Sequence, residues 1–227
     1  MATKTAKEAA ALAADCEAPG VFDPDLPEAL VRLMRLRRDV RRFRPGAVPE
    51  PVLARCLEAF RLAPSVGLSE PWRLVRIDSA AARAAVIANV EAANAEALAG
   101  YHGERAALYA TLKLHGCREA PVQIAVFCDE ATAKGRGLGA ATMPEMRRYS
   151  VVAAIQNFWL AARAEGVGVG WVSILDPARL AADLAVPADW VLIGYLCIGW
   201  PAEEGEIPEL ERAGWEARRP ALEVLTR

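Results

Sequence analysis

Apolar positions along the chain recur with helical and with strand-like spacing. Leu26, Leu30, Leu33 and Met34 fall at i, i+4, i+7 and i+8 and predict a helix over 26–38, with Pro27 in its first turn. Val52, Cys56, Leu57 and Phe60 form a second stripe and predict a helix over 50–62 that Pro64 ends. Alanine-rich 79–98 and 104–116 read as helices, and 176–184 reads as a helix capped by Asp176. WRLVRID (72–78), PVQIAVFCD (121–129), VGVGWVSI (167–174) and DWVLIGYLCIGW (189–200) read as strands, the second with a nearly continuous apolar centre. Gly135, Gly137 and Gly139 mark 130–143 as a loop. From Val151 to Ala162 only Gln156 and Asn157 are polar, so the helix at 144–166 is expected to be buried on every side. Asn157 is then a core asparagine that must find hydrogen-bond partners. Beyond Pro201 the periodicity stops, and an arm that wraps something is expected. Helices and strands around a buried central helix predict an α+β layer architecture.

Composition narrows this picture. The 227 residues suit a poorly ordered tail at 1–22 and a single domain at 23–227 that includes the C-terminal arm. A formal charge of −2 and a pI near 5.8 argue against a general nucleic-acid binder. No apolar run reaches the roughly 18–20 residues of a membrane span. The first twenty residues lack a leucine-rich core and carry interrupting acids, so they do not read as a signal peptide. Five scattered cysteines without a CxxC pair suit a reduced cytoplasmic protein with mostly buried thiols. With only His102 and His115, a histidine-rich metal site is excluded.

Against that acidic balance, RLRRDVRRFR at 35–44 holds six arginines around Asp39. Such a run is self-repelling unless a negative group sits there. Arginines suit bidentate phosphate contacts, so a phosphate-bearing ligand accounts for the patch; a solvated basic face pairing with glutamates accounts for it equally. The loop APSVGLSEPW (63–72) brings backbone N–H groups and a hydroxyl to a helix end. The glycines of EGVGVGWVS at 166, 168 and 170 mark either a close approach of backbone or ligand, or a bulge. They are not a dinucleotide fingerprint, because the spacing differs and a strand follows.

In order along the chain stand RRDVR (37–41), APSVG (63–67), PW (71–72), LKLHG (112–116), PEMRRYS (144–150) and AEGVGVGWVSILDP (164–177). Together these resemble the flavin-dependent nitroreductase superfamily and, within it, the 5,6-dimethylbenzimidazole synthases of cobalamin biosynthesis, over about residues 26–226. The resemblance implies a nitroreductase-like α+β fold: a central, mainly antiparallel sheet flanked by helices, in an arm-exchanged homodimer. It implies that reduced FMN is consumed as substrate with molecular oxygen, giving 5,6-dimethylbenzimidazole and erythrose 4-phosphate. A separate flavin reductase then supplies the reduced FMN, in the cytoplasm, without a metal, a membrane or nucleic acid. It also implies roles. Arg37, Arg38 and Arg41, with Val40 between them, hold the FMN phosphate and its polar edge. Asp39 and Ser173 are the catalytic pair. Ser65 and Gly67, with Val66, form a flavin-contacting loop. Leu114 lies over the flavin, Gly168, Val169 and Gly170 pass beneath it, and Arg218 is a phosphate ligand from the second subunit. Met146 and Tyr149 belong to a lid or to packing near the flavin. Glu70 and Arg73 depart from the glutamine and asparagine of relatives, and Arg42 and Arg44 have no assigned role. Two other readings stand beside this one: an FMN-dependent NAD(P)H oxidoreductase acting on nitroaromatics, quinones or a corrinoid, and a non-catalytic flavin carrier. Neither requires the Asp39–Ser173 pair.

Overall fold

The computed structural model describes residues 22–227, so all but Phe22 of the tail expected at 1–22 lies outside it. The chain divides into two compact units, Met1–Arg35 and Leu36–Arg227. Of the first unit, helix α1 (Leu26–Leu36) is the described element, and none of its residues is buried. Its apolar stripe of Leu26, Leu30, Val31 and Met34 is 40–48% exposed.

The second unit is built on four strands: β1 (Trp72–Arg76), β2 (Val122–Asp129), β3 (Gly168–Val172) and β4 (Trp190–Gly199). They pair antiparallel throughout, in the order β1-β2-β4-β3. The helices are α2 (Glu50–Glu58), α3 (Ala80–Ala99), α4 (Gly103–Thr111), α5 (Met146–Ala164), α6 (Pro177–Asp183) and α7 (Glu209–Arg212).

Strand alternation sorts the core into two layers. Ile124, Val126 and Cys128 of β2 and Leu196 and Ile198 of β4 pack with α2 and α5. Ala125 and Phe127 of β2 and Tyr195 and Cys197 of β4 pack on the opposite face, with Val86 and Val90 of α3 and Leu180 of α6. Both faces are covered, which is why β2 reads as one continuous apolar run.

Several boundaries differ from the sequence reading. α1 stops at Leu36 because Asp39 joins β3 in a parallel bridge with Val169, which requires extended backbone. α2 gives way after Glu58 to tighter turns, such as Ala59 N–H to the Cys56 carbonyl at 3.2 Å. α4 ends at Thr111, and LKLHG is extended, with Leu112 at φ −74 and ψ 132. α5 is not buried on every side: Val152 is 42% exposed and Gln156 is exposed, because one chain covers only the face packed on the sheet. Asn157 lies at the border of that face, half-buried, and its side chain makes no hydrogen bond among the described residues, unlike the core asparagine expected.

Candidate active site

The basic run 37–44 is an extended segment laid along the open edge of β3 and then along 200–202. Val40 N–H donates to the Val169 carbonyl at 3.0 Å, Arg44 N–H to Trp200 at 2.8 Å, and Ala202 N–H to Arg42 at 3.0 Å. Glycines make this approach possible. A Cβ on Gly170 would stand 2.1 Å from the Val40 carbonyl oxygen, and one on Gly168 2.8 Å from the Val40 side chain. The alternating glycines of β3 therefore seat the Asp39–Val40 backbone.

Asp39 is fixed from two sides. Its Oδ1 accepts the Trp171 backbone N–H at 2.8 Å. Its Oδ2 accepts Nε of Arg41 at 3.0 Å and pairs with Nη2 at 2.9 Å. Arg41 also donates from Nη1 to the Lys113 carbonyl at 3.2 Å. Arg41 thus joins Asp39 to the LKLHG segment that carries Leu114.

Arg37 lies over the Trp159 ring, 4.5 Å from its centroid, and Trp159 Nε1 donates to the Arg38 carbonyl at 3.3 Å. Burial lowers the pKa of both Arg37 and Arg38, and the nearby Arg218 guanidinium lowers each further. Arg38 donates from Nη1 to the Arg37 carbonyl at 2.6 Å and from Nη2 to the Glu206 carbonyl, while its Nε is buried without a partner. Arg218 lies near Arg37 and Arg38 of its own chain. These three arginines, with Asp39 and Arg41, line a cleft of about 140 Å³ bordered on the other side by Pro208, Glu209 and Leu210. Two partly desolvated arginines beside the exposed Arg218, which repels both, form a local site for a multivalent anion.

The remaining expected residues do not line this cleft. Ser65 Oγ accepts the Glu70 N–H at 3.1 Å, and Val66 N–H donates to Ser150 Oγ at 3.0 Å, which ties the APSVG loop to α5. Gly67 has φ +56, and a Cβ there would meet the Leu138 and Gly135 carbonyl oxygens at 2.8 and 2.9 Å, so the loop nests on the 135–138 turn. Ser173 is exposed just past β3, with no hydrogen bond within the described chain. It lies two residues beyond Trp171, about 7 Å along extended backbone from the amide that holds Asp39. Leu114 is half-buried. The Met146 carbonyl accepts Ser150 Oγ at 2.6 Å, and Tyr149 is 52% exposed.

The unassigned residues find structural roles. Arg73 donates to Asp129 Oδ2 at 2.7 Å and to two nearby carbonyls, and Glu70 pairs with Lys134. Arg42 pairs with Glu209 of α7. Sequence reading missed Trp159, Trp171 and Ser150, whose partners lie 84 to 132 positions away. The tryptophan in GVGWV was the available signal, since its neighbouring glycines already marked a close backbone approach.

Comparison with known proteins places this geometry among relatives. Residues 34–200 match the model of the Nitroreductase family. The chain is 58% identical over 200 residues to the 5,6-dimethylbenzimidazole synthase of Rhodospirillum rubrum, covering 88% of this chain and 95% of that protein. It is 47% identical over 199 residues to the 5,6-dimethylbenzimidazole synthase of Rhodobacter capsulatus, covering 88% and 96%. Among solved structures, oxidized iodotyrosine deiodinase bound to FMN and 3-iodo-L-tyrosine superposes with a TM-score of 0.67 at 21% identity, covering 87% of this chain and 97% of that one. The last likeness is one of fold.

Proposed function

The chain belongs to the nitroreductase family and groups within it with the 5,6-dimethylbenzimidazole synthases, and we propose that it fragments reduced FMN with molecular oxygen to 5,6-dimethylbenzimidazole and erythrose 4-phosphate. The observation that carries this reading is Asp39, a carboxylate pinned by the Trp171 amide and Arg41 at the rim of an arginine-lined cleft.

The residues fit FMN. The orphaned Nε of Arg38 and the mutual repulsion of Arg37, Arg38 and Arg218 suit a phosphate dianion, which would relieve both. Arg37, stacked on Trp159, and Arg38, tied to the Glu206 carbonyl, are held in place before the ligand arrives. Bound reduced flavin supplies the electrons that activate oxygen and the carbon skeleton of the product.

An ionised carboxylate offers about four lone-pair positions. The Trp171 N–H on Oδ1 and the Arg41 Nε–H on Oδ2 occupy two, with Arg41 Nη2 ion-paired at 2.9 Å. The remaining acceptor capacity is left for substrate, and in this reading it accepts the proton lost from the ribityl C1′. The Arg41 pair fixes the carboxylate in one orientation, so its main contribution is a fixed acceptor at one atom. Ser173, with a free hydroxyl, would donate to oxygen on the flavin side of the site. The Gly168–Gly170 backbone and the Ser65–Gly67 loop would flank a bound ring, and Leu114 would cover it.

A homodimer belongs to this reading. The uncovered stripe of α5 and the exposed apolar face of α1 support it. A separate reductase supplies the reduced flavin, in the cytoplasm. No helix of the described residues is long and apolar enough to cross a membrane.

The test mixes the purified protein with stoichiometric FMN, reduces it without air and then admits oxygen. Chromatography and mass spectrometry should show dimethylbenzimidazole appearing as FMN disappears. Quantitative recovery of oxidised FMN would overturn the reading, and NAD(P)H turnover would then separate a reductase from a carrier.

A further inference from the structure

The second core layer holds two thiols that the reaction does not use. Cys117 and Cys197 lie 80 positions apart in sequence, yet their sulfurs stand 3.6 Å apart, and both residues are buried. Cys197 is on β4, paired in register with Gly170. Cys117 opens the turn after LKLHG, in which Glu119 and Ala120 both donate their N–H groups to the Gly116 carbonyl. The turn is shallow, because the next two residues, Arg118 and Glu119, are exposed. Cys56 and Cys128 lie in the other core layer, across the sheet.

We propose that Cys117 and Cys197 form a redox-active dithiol, closed to a disulfide by hydrogen peroxide, and that closure displaces the LKLHG segment from the site. A disulfide needs sulfurs about 2.05 Å apart, so the pair must close by about 1.5 Å. β4 is an interior strand hydrogen-bonded on both sides, so the turn is what moves. That turn is continuous with Lys113, whose carbonyl accepts Arg41 Nη1, and a Cβ on Gly116 would stand 3.2 Å from the Arg41 carbonyl oxygen. Movement at Cys117 is therefore felt at the arginine that holds Asp39.

The two thiols are unequal in the direction such chemistry needs. The Cys197 S–H donated to Cys117 lowers the Cys117 pKa, and His115 lowers it further. Cys197 is pushed up by the same contact and by burial. The Cys117 thiolate attacks one peroxide oxygen; the O–O bond breaks, hydroxide leaves and a sulfenic acid forms. The Cys197 sulfur then attacks the Cys117 sulfur, its proton leaves with the sulfenic oxygen as water, and the S–S bond closes. Two electrons pass from the sulfurs to peroxide, and a dithiol reductant returns them.

The test treats the reduced full-length protein with a slight excess of hydrogen peroxide, blocks remaining thiols with N-ethylmaleimide under denaturing conditions, and maps the peptides. The expected map shows a Cys117–Cys197 peptide lighter by two hydrogens, with Cys56 and Cys128 alkylated. Dithiothreitol should remove it. Product formation in the oxygen assay should fall at least tenfold as the linkage forms, and recover with the reductant. Cys117→Ser, or Cys197→Ala should the first variant fail to fold, should keep basal turnover and lose peroxide sensitivity. Both thiols alkylated after peroxide overturns the site. A linkage without loss of turnover overturns its coupling to LKLHG. The peptide map is read on the protein alone, whereas the turnover arm rests on the proposed reaction. A wild type that makes no dimethylbenzimidazole before peroxide is added refutes that reaction and leaves the map to decide the dithiol.

Discussion

Replacing Asp39 with asparagine keeps an oxygen for the Trp171 amide but removes the charge that faces Arg41. Asp39→Asn should bind FMN within a few-fold of wild type and lose about a hundredfold or more in product formation, the scale of a positioned proton acceptor. Flavin fluorescence titration and product chromatography measure the two separately, and full turnover would remove Asp39 from the mechanism. Arg38→Ala tests the other half of the cleft. A charge-assisted hydrogen bond contributes about 1.5–3 kcal/mol, so FMN should bind roughly ten- to a hundredfold more weakly. Riboflavin, which lacks the phosphate, should bind the variant and the wild type alike. Equal losses for both ligands would mean that Arg38 supports the fold and not the phosphate. Asp39 and its arginines were legible in the sequence because like charges crowded around one acid need a reason. The division of labour among them was not. Whether an arginine faces a phosphate or a carboxylate depends on partners such as Lys113, Trp159 and Arg218, which local spacing cannot reveal.

The glycines of β3 are the clearest case in which strand sequence and site are one problem. Gly170→Ala should force the Asp39–Val40 segment off the strand edge, since the added carbon would stand 2.1 Å from a backbone oxygen that cannot rotate away. A cost of about 3 kcal/mol is expected, the upper part of the range for overpacking. Thermal melts read this directly, with Gly205→Ala as the control, because a Cβ there meets nothing within 4 Å. A Gly170→Ala protein as stable and active as wild type would mean that the segment is not seated there. Strand positions were readable from their apolar runs, and the two-sided burial of β2 explains why its run was unbroken. Helix ends were less readable. Alanine-rich 104–116 has no local reason to stop at Thr111. The stop comes from Arg41 holding the Lys113 carbonyl and from Cys117 packing beneath β4, both tertiary contacts.

For the whole molecule, the strongest departure from the sequence reading is the uncovered back of α5. In a homodimer that face is the natural place for a second copy. Val152→Arg puts a charge on it at a position already exposed in one chain, so folding should be spared. Sedimentation should give the wild type a mass of twice 24.4 kDa and the variant a mass nearer one chain. A wild-type monomer, or a variant that remains dimeric, would move the interface elsewhere.

Arg38 of the cleft, together with Arg42 and Arg163 outside it, also binds the C-terminal stretch. Arg38 donates to the Glu206 carbonyl, Arg42 pairs with Glu209, and Arg163 pairs with Glu204 at 2.9 Å. A ligand that immobilises Arg38 must therefore favour the docked form of 201–218, by ordinary linkage between binding and local unfolding. At a ligand concentration of about 100 times Kd, openings that release the ligand become about a hundredfold rarer. Amide exchange across 201–218 should slow by that factor on adding FMN, while exchange in β2 changes little. The C-terminus would then report occupancy of the cleft, and any protease that samples its open form would find the liganded protein a poorer substrate than the free one.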